Sequence, residues 1–112
     1  MKKTETTDSV VVLGLNDQLP VVTESTTSRV VVNNPLMRVV VFTFGAGQML
    51  TEHTSPRAVV VTLLEGEMQF DVAGEPNIMK PGDVIYLAPD ESHAVVALTD
   101  CRMQLVMVDT EA

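Results

Sequence analysis

The chain has no tryptophan, one tyrosine and three phenylalanines, so aromatic rings cannot fill its interior. Valine, leucine, isoleucine and methionine must do so, and a core rich in β-branched valine favours strands over helices. Cysteine is down to one residue, Cys101, which excludes an internal disulfide. No histidine or lysine stands beside Cys101 to stabilise a thiolate, so it reads as a small buried hydrophobe and not as a nucleophile. Basic charge is also scarce: seven Lys and Arg against fifteen Asp and Glu give a formal charge of −8. A nucleic-acid binder needs a clustered basic face to release counterions, and an anionic membrane surface asks for the same, so neither partner is expected. No apolar stretch approaches the roughly 20 residues of a membrane span, which predicts a soluble protein. Lys2 and Lys3 lead into Thr4-Glu5-Thr6-Thr7-Asp8-Ser9 with no apolar segment behind them. That is not a secretory signal, and the expected location is cytoplasmic.

What the chain does have is a series of short apolar runs cut by turn formers. Its 112 residues fit one domain with a single core. Residues 1–9 are polar with nothing to bury and are expected to form a flexible tail, leaving 10–112 as the domain. Val10 to Leu15 is an apolar run ending at the turn signal Asn16-Asp17; Pro20 to Thr23 reads as extended and Glu24 to Ser28 as a polar loop. Strands are predicted over Arg29 to Val32, Leu36 to Phe44, Gln48 to His53, Ala58 to Leu64 and Glu67 to Val72. Four more follow at Asn77 to Met79, Asp83 to Leu87, His93 to Leu98 and Arg102 to Val108. No segment keeps helical spacing over a dozen residues, so no helix is predicted. Many short strands at this spacing mean a sandwich or barrel. Runs such as Val30 to Val32 and Val39 to Val41 send apolar side chains to both faces of a sheet. The outer face then needs a cover, and a homodimer with an N-terminal strand near its seam is the expected source.

One stretch carries a family resemblance. Gly47, His53 and Gly66 follow one another with five and then twelve residues between, and after a short gap come Pro81-Gly82-Asp83-Val84-Ile85-Tyr86-Leu87-Ala88-Pro89 and His93. This order resembles the two-motif core of a cupin, here spanning 47–97. The resemblance implies an all-β, single-domain jelly-roll barrel, a double-stranded β-helix. It also implies a divalent metal, Fe, Mn, Ni or Zn, held by histidines and a glutamate inside the barrel, with His53 and His93 as the ligands retained here. Ser55 stands where the family has its second histidine, Val59 where it has the glutamate, Ala97 where it has an asparagine. A catalytic metal needs three or four converging N or O donors and an open position. Serine is a poor ligand and valine is none. Glu52 neighbours His53 and faces the other way on a regular strand, so only a bulge turns it in.

The expected ligand-binding residues are therefore His53, Ser55, Arg57, Tyr86 and His93, with no catalytic residue assigned. His53 and His93 are the only two histidines, and a shared pocket would perturb their protonation near neutral pH. Arg57 follows His53 and suits a carboxylate or phosphate at the pocket mouth. Each has a plainer reading: pocket-lining histidines bonded to each other or to water, a solvated arginine, a packed tyrosine, a turn-forming serine. Met49, Met68, Met103 and Met107 suit either an adaptable pocket or simple core filling. Two functions follow. The first is binding of a small polar or anionic molecule without metal; the second is a metal-dependent enzyme of dioxygenase, isomerase or decarboxylase type using His53 and His93, completed by water or a shifted Glu52. A third reading, an interaction module, predicts a filled barrel with no cavity.

Overall fold

The computed structural model describes residues 3–110. The ends of the expected tail (1–2) and of the expected domain (111–112) lie outside the described residues. Among the described residues nine strands form two antiparallel sheets. They are β1 (Thr26–Asn33), β2 (Met37–Phe44), β3 (Met49–His53), β4 (Ala58–Glu65), β5 (Met68–Val72), β6 (Glu75–Met79), β7 (Val84–Leu87), β8 (His93–Ala97) and β9 (Cys101–Val108). One sheet runs β1-β2-β9-β4-β7 and the other β3-β8-β5-β6. This is the jelly roll, and among the described residues no helix is long and apolar enough to cross a membrane.

The ladder registers show which side chains meet. Phe42 pairs with Met103 and Met103 with Leu63; one row further, Val40, Leu105, Val61 and Ile85 align; then Arg38, Met107, Val59 and Leu87. These rows face the other sheet, because a strand repeats every two residues. At one end the sandwich is packed shut by Phe44, Leu63, Met68, Met79, Ala97 and Cys101, all essentially inaccessible. Here the chain passes from β4 to β5, and Gly66 makes the crossing with φ +86. The Cys101 thiol hydrogen-bonds the carbonyls of Glu67 and Thr99 at 3.0 and 3.2 Å. Burial pushes its pKa up, as suits an unreactive core thiol.

Several N-terminal expectations are corrected. Asn16 and Asp17 do not mark a turn: they sit inside a one-turn helix, α1 (Leu15–Gln18), the only helix among the described residues. Thr26 to Ser28, read as loop, begin β1 opposite Phe44, Thr43 and Phe42. In the segment expected to be loose, Thr4 donates its N–H to the carbonyl of Asn33 at 2.9 Å. The chain's own N-terminal region covers part of the outer face of the five-stranded sheet. Arg102, 4% exposed, donates to the carbonyl of Leu19 at 2.9 Å and pairs with Glu65 at 3.4 Å.

Candidate functional site

The open end of the sandwich is shaped by an irregularity in β3. Leu50 pairs with Val95 on β8, but His53, three residues on, pairs with His93, only two residues back from Val95. One extra residue has been inserted, which is a β-bulge. A regular ladder would set Glu52 opposite His93. The bulge instead brings His53 to that position and leaves Glu52 exposed and away from the cavity. β3 is an edge strand, where unpaired backbone on one side accommodates the insertion.

Between the sheets lies a cavity of about 200 Å³. Phe42, Met103, Leu105 and Met107, with Val59 and Leu87, line it from the five-stranded sheet. Leu50, Phe70 and Val95 line it from the other sheet, and the polar lining is His53, Ser55 and His93. The filled barrel predicted by the interaction-module reading is not what the chain forms. His93 is 8% exposed, stacks on Phe70 with centroids 5.8 Å apart and planes 8° from parallel, and meets His53 edge-on at 4.1 Å. His53, nearer the mouth, is exposed.

Backbone contacts fix the tautomers. The Nδ1 of His53 lies 2.8 Å from the carbonyl of Thr51, and that of His93 lies 3.0 Å from the carbonyl of Glu91. A carbonyl only accepts, so each Nδ1 carries the proton and donates it. In the neutral ring, Nε2 is then the atom with a free lone pair, and no described residue hydrogen-bonds it. The pKa of His93 falls below the usual 6.5: burial is the main cause, the Glu91 carbonyl opposes it, and the charge of a protonated His53 adds to it. Near neutral pH His93 is an uncharged hydrogen-bond acceptor.

The other residues singled out in sequence part ways. Ser55 lines the cavity, and its hydroxyl accepts from the N–H of Arg57 at 3.3 Å. Arg57 itself borders a different depression with Pro56, Asp109 and Thr110. Tyr86 is 63% exposed and lies outside the cavity lining; its neighbours Ile85 and Leu87 take the inward positions on β7. Met103 and Met107 line the cavity, Met68 belongs to the core and Met49 is exposed. Nothing in the sequence marks Arg38, whose ladder partner Met107 lines the cavity.

A resident catalytic metal does not fit this donor set. Two imidazoles meet at the cavity wall, but the positions a third and fourth ligand would need hold a serine hydroxyl and apolar wall. Among the described residues no three His, Cys, Asp or Glu side chains gather closely enough to hold an ion. Two nitrogens leave a divalent metal short of the three or four protein donors usual in catalytic sites.

A jelly roll of this size, with a cavity between its sheets and a histidine pair on the cavity wall, defines a small barrel protein. The chain belongs to the cupin family: the family model described as "Cupin domain" matches residues 40–109. Comparison with curated proteins gives no match. Among solved structures, the chain is similar to a conserved protein of unknown function from Streptococcus pyogenes. Identity is 27% and the TM-score 0.83, covering 100% of this chain and 98% of that one. It is also similar to a cupin 2 conserved barrel domain protein from Leptotrichia buccalis, at 27% identity and a TM-score of 0.79, over 87% of this chain and 47% of that one. A DMSP lyase from Ruegeria pomeroyi is 17% identical with a TM-score of 0.70, over 76% of this chain and 47% of that one. That likeness is one of fold alone.

Proposed function

We propose that the protein binds a small molecule with a polar or anionic head and a compact apolar body, without a resident metal. The observation that carries this reading is the division of the cavity wall: nine apolar side chains form its body, and His53, Ser55 and His93 gather the polar atoms. Its volume of about 200 Å³ exceeds the roughly 150 Å³ in which an apolar cavity takes up benzene. It suits a molecule of one ring or a short branched chain. The free Nε2 of a neutral His93 accepts a hydrogen bond from a hydroxyl, and Ser55 can donate or accept beside it. The same acceptors favour a second reading, a metal-dependent enzyme using His53 and His93, since adjacent free Nε2 atoms attract a divalent ion. The short donor set puts that reading behind.

Two measurements test the proposal. A thermal-shift series with compact phenols, alcohols and carboxylic acids is expected to raise the melting temperature for at least one member. Ligand at 100 times its Kd stabilises by about 2.7 kcal/mol, or roughly 10 °C for a domain of this size. No rise with any member refutes the binding reading. Elemental analysis after incubation with Fe(II), Mn(II), Ni(II) or Zn(II) and desalting is expected to find no stoichiometric metal. Retention near one per chain, lost in His53→Ala or His93→Ala, would make the enzyme reading the favourite.

The protein is further proposed to work in the cytoplasm as a homodimer, its N-terminal segment near the seam. Val11 and Leu13 at the N-terminus, 79% and 78% exposed, support the dimer, as do the exposed Val84 and Tyr86 on β7. Sedimentation showing only monomer at micromolar concentration would remove it.

A further inference from the structure

The last inward row at the open end of the five-stranded sheet contains an arginine. On β2, Phe42 lines the cavity and Phe44 belongs to the core. The two-residue period therefore sets Arg38 on the same face. Its ladder partner Met107 lines the cavity, and so do Val59 and Leu87 further along that row. β2 runs from Arg38 toward the closed end, the chain turns where Gln48 donates to the carbonyl of Gly45, and β3 returns to His53. Arg38 and the histidine pair thus share the open end of the barrel.

Part of the Arg38 guanidinium is also unsatisfied. Its Nε is buried and has no hydrogen-bond partner. Among the described residues its guanidinium joins no ion pair; the one recorded belongs to Arg102 and Glu65. No described acidic side chain is set against the arginine. A buried donor without an acceptor is costly. The guanidinium fork matches a carboxylate with two parallel hydrogen bonds.

We propose that Arg38 binds the carboxylate of the cavity's ligand, which makes that ligand a compact carboxylic acid with its apolar body between the sheets and its anionic end at the mouth. This rests on the binding reading above and narrows its ligand class. The apolar wall holds the body, while Arg38 separates an acid from a neutral molecule of the same shape.

Titration with two probes, benzoate and phenol, tests it at low salt in wild type, Arg38→Gln and Arg38→Lys, each checked for folding by circular dichroism. Benzoate is expected to bind wild type and to lose at least tenfold in affinity in Arg38→Gln, about 1.4 kcal/mol, while phenol changes less than twofold. Arg38→Lys keeps the charge without the fork and is expected to weaken benzoate severalfold, again sparing phenol. That variant carries the test if Arg38→Gln does not fold. Phenol binding without benzoate binding, or equal losses of both probes in the variants, or benzoate affinity unchanged in them, overturns the role of Arg38 and leaves the cavity reading standing. Failure of both probes to bind wild type refutes the cavity reading itself, and the Arg38 assignment falls with it.

Discussion

Replacing Gly66 by alanine is expected to cost this protein far more than the same change at Gly74, although both have positive φ, +86 and +81. The left-handed conformation alone costs an alanine about 1–2 kcal/mol, and at Gly74 that is the whole penalty, since nothing lies within 4 Å of an added Cβ. At Gly66 the new carbon would stand 2.1 Å from the backbone oxygen of Asp100 and 2.9 Å from both the Cys101 sulfur and the Thr99 hydroxyl. A carbon and an oxygen rest no closer than about 3.3 Å, so backbone must move by roughly an ångström. That backbone is tied down: the Asp100 carboxylate accepts from Ala46 N–H at 2.9 Å, Glu67 N–H donates to Thr99 Oγ1 at 2.9 Å, and Leu98 N–H donates to the Glu67 carbonyl at 2.9 Å. Losing two such bonds adds about 2 kcal/mol, for a total of about 3–4 kcal/mol. That is a large part of the 5–15 kcal/mol typical of a domain, and corresponds to a fall of roughly 12–20 °C in melting temperature. Urea unfolding followed by circular dichroism gives the free-energy loss of each variant from its midpoint at a common m. If Gly66→Ala and Gly74→Ala differ by less than about 1 kcal/mol, the two sheets are not joined as closely at this crossing as described.

Two further outcomes are expected. Because the folded state lowers the pKa of His93 from 6.5, the unfolded chain binds more protons between the folded value and about 6.5. This contribution to stability is complete above pH 6.5 and is lost as pH falls through the folded pKa. Melting temperatures measured from pH 7.5 down to 5.5 should therefore drop more steeply in wild type than in His93→Gln, and equal slopes would count against a desolvated His93. Ser55→His should add a third imidazole to the cavity wall and convert a chain that releases Ni(II) or Zn(II) on desalting into one that keeps about one ion; no gain would show that Ser55 does not share the site with His53 and His93.

Most strands were legible because Gly, Pro, Asn and Asp interrupt the valine runs at nearly every strand end. β4, β7, β8 and β9 begin or end within one residue of the positions read from sequence. Which way each side chain faces was less legible. In Val84-Ile85-Tyr86-Leu87 every residue is apolar or aromatic, so no alternation shows that Tyr86 points out. Arg38 was hidden for the same reason: it precedes Val39, Val40 and Val41, and only the ladder with Met107 reveals that it shares the face of Phe42. The helix α1 escaped because one turn is too short to display a period, and Asn16 and Asp17 suit turns equally well. Nor does the apolar character of the Val10 to Leu15 run reveal that Val11 and Leu13 stay exposed. The two histidines stand at motif positions and line one cavity, but the hydrogen bonds that set their tautomers depend on carbonyls that sequence cannot orient.

The extra residue in β3 means that these five residues spell two sites. With the insertion, an imidazole faces His93; drawn straight, the same strand would present the carboxylate of Glu52 there and turn His53 to solvent. A pair of imidazoles and an acid–imidazole pair are thus separated by a one-residue slip and no substitution. The chemistry offered at the barrel mouth is a matter of strand register as much as of residue identity, so an insertion or deletion next to Thr51 would change it as deeply as replacing a histidine.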